Sequence, residues 1–194
     1  MNVGNGLDRA GCKDTDVNEI KNGTVKTVPY ELITGESINM ELPNRKKLRL
    51  EHFDYSSENF YFVTICTDNK IKLFGEPGNL NNLGKIAESD LLNISEHYKG
   101  VEIDKYVIMP NHIHAIIVVG CNPDAGINEF PSLETVIGLY KSGVSRKIHV
   151  YDPKLKVWQK SYYEHIIRNN HDYGEIWKYI DYNPIKWEED ELYI

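Results

Sequence analysis

His112, Ile113 and His114 follow directly on a Pro110-Asn111 pair, and the two histidines are two positions apart. In a strand, side chains alternate between faces, so both imidazoles point the same way, with Cα atoms about 7 Å apart. Two imidazoles at that separation can converge on one divalent cation. The same face continues with Ile116 and Val118, which puts the pair at the polar rim of a buried surface. The plainer reading of the triplet is two satisfied polar histidines beside a turn. His52, His97, His149, His165 and His171 show no comparable pairing.

Near the other end of the chain, Tyr179 and Asn183 are four residues apart. On a helix that spacing stacks them on one face, roughly 6 Å from each other. A carboxamide oxygen is a hard ligand suited to Mg²⁺ or Mn²⁺. A tyrosine beside such a ligand would hold its phenol next to a metal-bound substrate. Phenol is a poor nucleophile, with a pKa near 10, and attack becomes feasible when a cation polarises a phosphate and stabilises the charge that develops. Tyr182 points about 100° away from the neighbouring Asn183, and Tyr173 lies six residues before Tyr179. Geometry therefore favours Tyr179, although taken alone it reads more readily as an aromatic on a core-facing helix stripe.

These groups need a scaffold, and its outline is visible. Residues 60–67 (FYFVTICT) are rich in aromatic and β-branched residues on both faces, as a central strand is. A turn at Asp68-Asn69 leads to a predicted short strand over 70–74, broken by Gly75-Glu76-Pro77-Gly78. Leu83, Ile86, Ala87, Leu91 and Ile94 keep helical spacing, which predicts a helix over 82–98 ending at Gly100. Strands over 102–109 and 112–119 share the tight Pro110-Asn111 turn and form an antiparallel hairpin. Pro131 and Ser132 precede a second helical pattern that runs to Ile148. A strand over 157–163 and a last helix over 171–182, stopped by Pro184, complete the series. Strands paired beside helices that lie on one sheet face give an α+β sandwich of ferredoxin-like type.

Of the 194 residues, 41% are hydrophobic and 26% charged, an ordinary globular composition. The longest nearly apolar runs, 60–66 and 113–119, are strand-length and too short to cross a bilayer. Residues 1–6 lack the basic start and apolar stretch of a signal peptide. Cys12, Cys66 and Cys121 show no ligand spacing and read as reduced thiols, so a bacterial-type cytoplasm is the expected location. The net charge of −7 argues against a phosphate-rich partner until it is divided along the chain. Residues 1–43 hold four basic and seven acidic residues, and Glu188, Glu189, Asp190 and Glu191 add four negative charges, leaving 44–187 neutral. Within that body Lys141, Arg146, Lys147, Lys154, Lys156 and Lys160 face Asp152 alone across 141–160, and Arg45, Lys46, Lys47 and Arg49 form a second basic cluster. Such clusters are either a solvated face or a nucleic-acid footprint. Residues 1–43 are rich in Gly, Asn, Asp and Thr, with one weak strand candidate at 30–34, and read as a flexible extension. The organisation expected is an extension over 1–43, a domain over 44–187 and an acidic tail over 188–194.

Several separated segments carry a family likeness, and they occur in order. Met109-Pro110-Asn111-His112-Ile113-His114 leads into the apolar run. Val157-Trp158-Gln159 and Tyr163-Glu164-His165-Ile166-Ile167-Arg168-Asn169 follow, then Tyr179-Ile180 and Asn183-Pro184. With 49–67 and Phe74-Gly75, these resemble the repeat-associated tyrosine transposases, a branch of the HUH single-tyrosine transposases of insertion-sequence type. The resemblance spans about 45–187 and leaves out 1–43. It implies the HUH nuclease fold, a ferredoxin-like antiparallel sheet with helices packed on it, and His112 and His114 as the metal-holding pair. It also implies Tyr179 as nucleophile and Asn183 as third ligand, where insertion-sequence relatives often carry glutamine. The chemistry implied is transesterification with a 5′-phosphotyrosine link and a free 3′-OH, dependent on Mg²⁺ or Mn²⁺. The partner implied is a single-stranded palindrome folded as a hairpin with a short flanking guide sequence, bound by a monomer or a homodimer. Lys141, Arg146, Lys147 and Arg168 are the candidates for contact with the DNA backbone.

Two other readings share these residues. One is a domesticated relative that binds structured DNA without mobilising it, against which the intact His112, His114 and Tyr179 count. The other is an unrelated metal hydrolase using the HxH pair, which lacks a second metal cluster and an evident general base in the sequence. Removing residues 1–43 should leave a domain that unfolds cooperatively, because that stretch lacks the apolar periodicity needed to join a core. Loss of the sigmoidal thermal transition in the truncated protein would count against that division.

Overall fold

Along β1 (Asn59–Cys66), Tyr61, Val63 and Ile65 point to one side of the sheet and Phe60, Phe62 and Thr64 to the other, and both sides are covered. The computed structural model describes residues 53–120 and 130–193, and there β1 is flanked by β5 (His112–Val119) and β6 (Tyr163–Ile167). With β4 (Val101–Ile108) at the far edge, the sheet runs β4-β5-β1-β6, antiparallel throughout. A two-stranded ribbon of β2 (Gly75–Glu76) and β3 (Asn79–Leu80) leads into α1 (Asn82–Leu92) and the short α2 (Ile94–His97). α3 (Leu133–Ile148) lies between β5 and β6, and α4 (Asn170–Tyr182) follows the last strand. Taking the four main strands in chain order, the sheet places the second, third, first and fourth side by side. With α1 and α3 as crossovers this is the α+β, ferredoxin-like arrangement expected. The extension over 1–43, the 30–34 strand candidate, Cys12, Cys121, His52 and the 45–49 basic cluster lie outside the described residues.

Three helices start where a side-chain oxygen takes up a free backbone N–H. Asn81 caps Gly84, Ser132 caps Thr135, and Asn169 caps Asp172. The apolar stripe of α3 (Leu133, Val136, Ile137, Tyr140, Val144 and Ile148) packs with α1 on the face that carries Tyr61, Val63, Ile113, Ala115 and Ile117. The opposite face holds a second, smaller cluster of Phe62, Ile116, Ile167 and Ile180, to which Tyr173 and Ile176 add. That cluster is where α4 docks. Lys105 holds it at the edge, bonding Asp181 at 2.6 Å with its ammonium 3.7 Å from the Trp177 ring centre.

The structure corrects several expectations. Helices cover both sheet faces, because α4 buries Ile180 on the side away from α1 and α3. Residues 70–74 are not a strand. A 3-10 turn at Asp68–Lys70 leads into an extended segment whose Leu73 and Phe74 N–H groups both bond the Pro110 carbonyl. The fourth sheet strand is Tyr163–Ile167 rather than 157–163; before Tyr163 that stretch is tied to the sheet's first strand through an isolated bridge from Trp158 to Thr67. The helix over 82–98 divides at Asn93 into α1 and α2.

Since Ile180 is the residue α4 buries, Ile180→Ala should cost about 2–5 kcal/mol, the usual range for emptying a core site. Urea unfolding measures it. A change well below about 1 kcal/mol would mean that α4 is not held through this contact.

Candidate active site

The face of β5 that α4 covers carries His112, His114 and Ile116, and this alternation puts both imidazoles under α4. At the turn end of the hairpin the Met109 N–H bonds the His112 carbonyl at 2.9 Å, so the turn delivers His112 as the first residue of the strand. The two rings lie 4.4 Å apart, centre to centre, and both are buried. Each is oriented through its Nδ1. His112 Nδ1 is 2.8 Å from Asn111 Oδ1, and His114 Nδ1 is 2.9 Å from Thr64 Oγ1, one strand over in register. An amide oxygen can only accept, so His112 carries its proton on Nδ1 and presents a bare Nε2. That Nε2 is buried with no hydrogen-bond partner.

Asn183 sits at the C-cap of α4, one turn beyond Tyr179, and is only 4% exposed. Its Nδ2 donates to Asp190 Oδ2 at 2.6 Å, which fixes the amide orientation and leaves Oδ1 buried without a partner. Two orphaned buried acceptors, one on His112 and one on Asn183, are what a bound cation would satisfy. Their chemistry, imidazole nitrogen and amide oxygen, suits a divalent ion. The donor set fits a metal.

Tyr179 reaches the same place. Its hydroxyl is 3.2 Å from His114 Nε2, its ring is edge-on to His114 at 5.1 Å, and it is 46% exposed. Tyr173 is turned elsewhere, donating to Asp104 and packing on Phe60, and Tyr182 is exposed at 54%. His112, His114, Asn183 and Tyr179 thus come together from a strand and a helix 65 residues apart in sequence.

Burial dominates the electrostatics. It pushes the His112 pKa down to about 4, with Asp190 and the Asn183 amide opposing the shift and Lys70 adding to it. It pushes His114 well down too, reinforced by His112. Tyr179 moves the other way, up to about 12, through partial burial and then the Asp190 carboxylate. At neutral pH the cluster holds two neutral imidazoles and a neutral phenol.

A protein of uncharacterised function from Haemophilus influenzae is 38% identical over 176 residues, 80% of this chain and 97% of that protein. The two belong to one family. A second H. influenzae protein, named "Putative REP-associated tyrosine transposase", is 26% identical over 136 residues, 69% of this chain and 74% of its own length. This chain resembles the REP-associated tyrosine transposases. Among solved structures, a REP-associated tyrosine transposase bound to a REP hairpin aligns with 72% of this chain and 74% of that one, at 20% identity and a TM-score of 0.49. No family model matches the chain.

The predicted DNA contacts stand apart from this cluster. Lys141 and Lys147 lie on α3, across the sheet. Lys141 Nζ donates to the Gln159 and Ser161 carbonyls at 2.7 and 3.2 Å, and Lys147 pairs with Asp90 of α1. Arg146, also on α3, is exposed beside a groove with His97 and Tyr98, and Arg168 is exposed between β6 and the cap of α4. The residue that sequence reasoning missed is Asp190. It was set in an acidic tail over 188–194, yet it touches Tyr179 and Asn183 and groups with His112 and His114. A lone Asp in an acidic run carries no local signal of this. No helix among the described residues is long and apolar enough to cross a membrane.

The buried neutral imidazoles have a consequence for stability. In the unfolded chain they take up protons near pH 6.5, whereas His112 in the folded state does so only near 4. Between those values the unfolded state binds more protons, so stability falls as pH is lowered through that window. The melting temperature of metal-free protein should therefore drop from pH 6.5 to 4, and His112→Gln/His114→Gln should flatten that slope. Parallel slopes would mean the imidazoles are not buried as neutral groups.

Proposed function

We propose that this chain is a metal-dependent endonuclease of the tyrosine-transposase type that cuts single-stranded DNA and holds the cut end as a 5′-phosphotyrosine on Tyr179. The observation that carries the reading is the meeting of a phenol with two buried acceptors that lack partners, His112 Nε2 and Asn183 Oδ1. The resemblance to REP-associated tyrosine transposases supports the reading; the substrate class it proposes is a single-stranded palindrome folded as a hairpin, with a bacterial cytoplasm as the setting. His112, His114 and Asn183 would hold Mg²⁺ or Mn²⁺. When bound, that ion supplies Lewis-acid polarisation of the scissile phosphate and positive charge against the phenolate.

The chain's own residues do the rest. Thr64 and Asn111 keep the imidazoles aimed, and Phe62 stacks on His114 so that the ring cannot turn. Ile180, one residue along the helix, is buried in the sheet and fixes the height of α4, and with it the phenol. The Tyr179 oxygen bonds to phosphorus as the bond from phosphorus to the 3′ oxygen breaks. The phenol proton ends on the departing 3′ oxygen by way of solvent, which a half-exposed ring admits. A phenol pushed up to about 12 is neutral before attack, so cutting needs the neighbouring cation. Arg168 is our candidate for holding the DNA backbone, together with Arg146, Lys141 and Lys147 on the other side of the sheet.

Incubating the protein with labelled hairpin DNA and Mn²⁺, then running a denaturing gel, retains only covalent species. Tyr179→Phe should abolish the adduct while hairpin binding persists, and Tyr182→Phe should keep it. An adduct surviving in Tyr179→Phe but missing in Tyr182→Phe would overturn the assignment. Binding without any adduct in the unaltered protein would favour a DNA-binding relative that does not cut.

A further inference from the structure

After α4 the chain does not leave the domain. The Ile185 and Lys186 N–H groups bond the Tyr182 carbonyl, and a 3-10 turn at Trp187–Glu189 reverses the direction. The segment over 187–193 is then fixed at three points. Buried Trp187 lies against the His112 ring, 5.8 Å between centres. Tyr193 packs edge-on to Trp187 at 5.1 Å, with the Lys72 ammonium 4.9 Å from its ring centre. The Leu192 carbonyl accepts from Asn111 Nδ2 at 2.8 Å, and this is the same amide whose oxygen orients His112.

This strap sorts four consecutive acids. Glu188, Glu189 and Glu191 are exposed, and Asp190 alone is turned inward. Its Oδ1 accepts from the Leu192 N–H at 2.6 Å, which locks the carboxylate plane. Its Oδ2 accepts from Asn183 Nδ2 at 2.6 Å and lies 3.4 Å from the Tyr179 hydroxyl. Ligating atoms of His112, His114 and Asp190 lie within 4.8 Å of one another, only slightly wider than the roughly 4 Å between opposite ligands of an octahedral ion.

We propose that Asp190 is a fourth protein ligand of the divalent-metal site, delivered by the terminal strap. The inference rests on the metal-site reading above. Two imidazoles and an amide bring no negative charge to a dication, and hard ions such as Mg²⁺ and Mn²⁺ favour carboxylate oxygen. Asp190 supplies both. A carboxylate oxygen has lone pairs to spare, so Oδ2 can keep the Asn183 contact while it binds a cation. That contact in turn holds Asn183 with its orphaned Oδ1 as the free ligating atom. With these four residues holding it, the ion would still be able to take phosphate oxygens from a substrate.

Mn²⁺ titration of the full chain without DNA, by calorimetry or by the electron paramagnetic resonance of free Mn²⁺, tests this apart from cutting. Asp190→Asn should weaken Mn²⁺ binding by roughly ten-fold or more, and Glu188→Gln should leave it unchanged. Asp190→Cys should lose Mn²⁺ affinity and gain Cd²⁺ affinity, because a thiolate prefers the softer ion, a reversal that a purely structural role would not produce. Wild-type Mn²⁺ affinity in folded Asp190→Asn, with binding lost in His112→Gln, overturns the proposal and leaves the metal site standing. No Mn²⁺ binding by the unaltered chain overturns both.

Discussion

The contact between His112 Nδ1 and the Asn111 side-chain oxygen, 2.8 Å long and fully buried, is where the fold and the site are joined. Asn111 is the last residue of the hairpin turn, and its backbone carbonyl accepts from Thr67 N–H and Thr67 Oγ1 at 2.9 Å each. Its Nδ2 donates to the Lys70 and Leu192 carbonyls. One residue, through its backbone carbonyl and its side chain, therefore ties together the end of β1, the turn before β5, the carbonyl of Lys70 and the terminal strap. An unsatisfied polar group there would cost about 1–3 kcal/mol, so the network holds the turn in one geometry. The imidazole inherits that geometry and its tautomer.

The remaining architecture follows from β5 being buried on both sides. A strand covered by α1 and α3 on one face and α4 on the other has room for polar groups only toward its end, where His112 and His114 sit. Ile116, two residues on, already belongs to the apolar contact with Ile180. The site is thus the edge of the second core. The helix that closes that core also carries Tyr179 and Asn183, so core packing and site geometry are a single construction.

How far this could be seen in the sequence depended on whether the signal was local. The strands through Phe62 and His114, the hairpin at Pro110-Asn111 and the stripe of α3 rest on alternation or helical spacing within one segment, and they lie close to where those patterns placed them. The same alternation put His112 and His114 on one face, and the four-residue step put Tyr179 beside Asn183. Residues 157–163 mislead because Trp158 is buried against Phe74 and Tyr140 and pairs only through an isolated bridge to Thr67, and apolar content alone does not distinguish that from a full strand. Nothing in the residues of α4 themselves says which side of a sheet covered on both sides it will take. Asp190 was hidden for a deeper reason. Its role comes from Trp187 and Asn111 turning the chain back, a long-range event that leaves three neighbouring acids in water and draws in the fourth.

The position of Tyr179 sets how a polymer could approach it. The phenol lies on the outer turn of a helix, half open to solvent. A strand can therefore come to it sideways, at any point along its length, without an end having to be threaded through the protein. On the proposed reading, release would need no threading either: both sides of a cut strand would stay where they lie, and a long molecule would be opened and resealed in its middle.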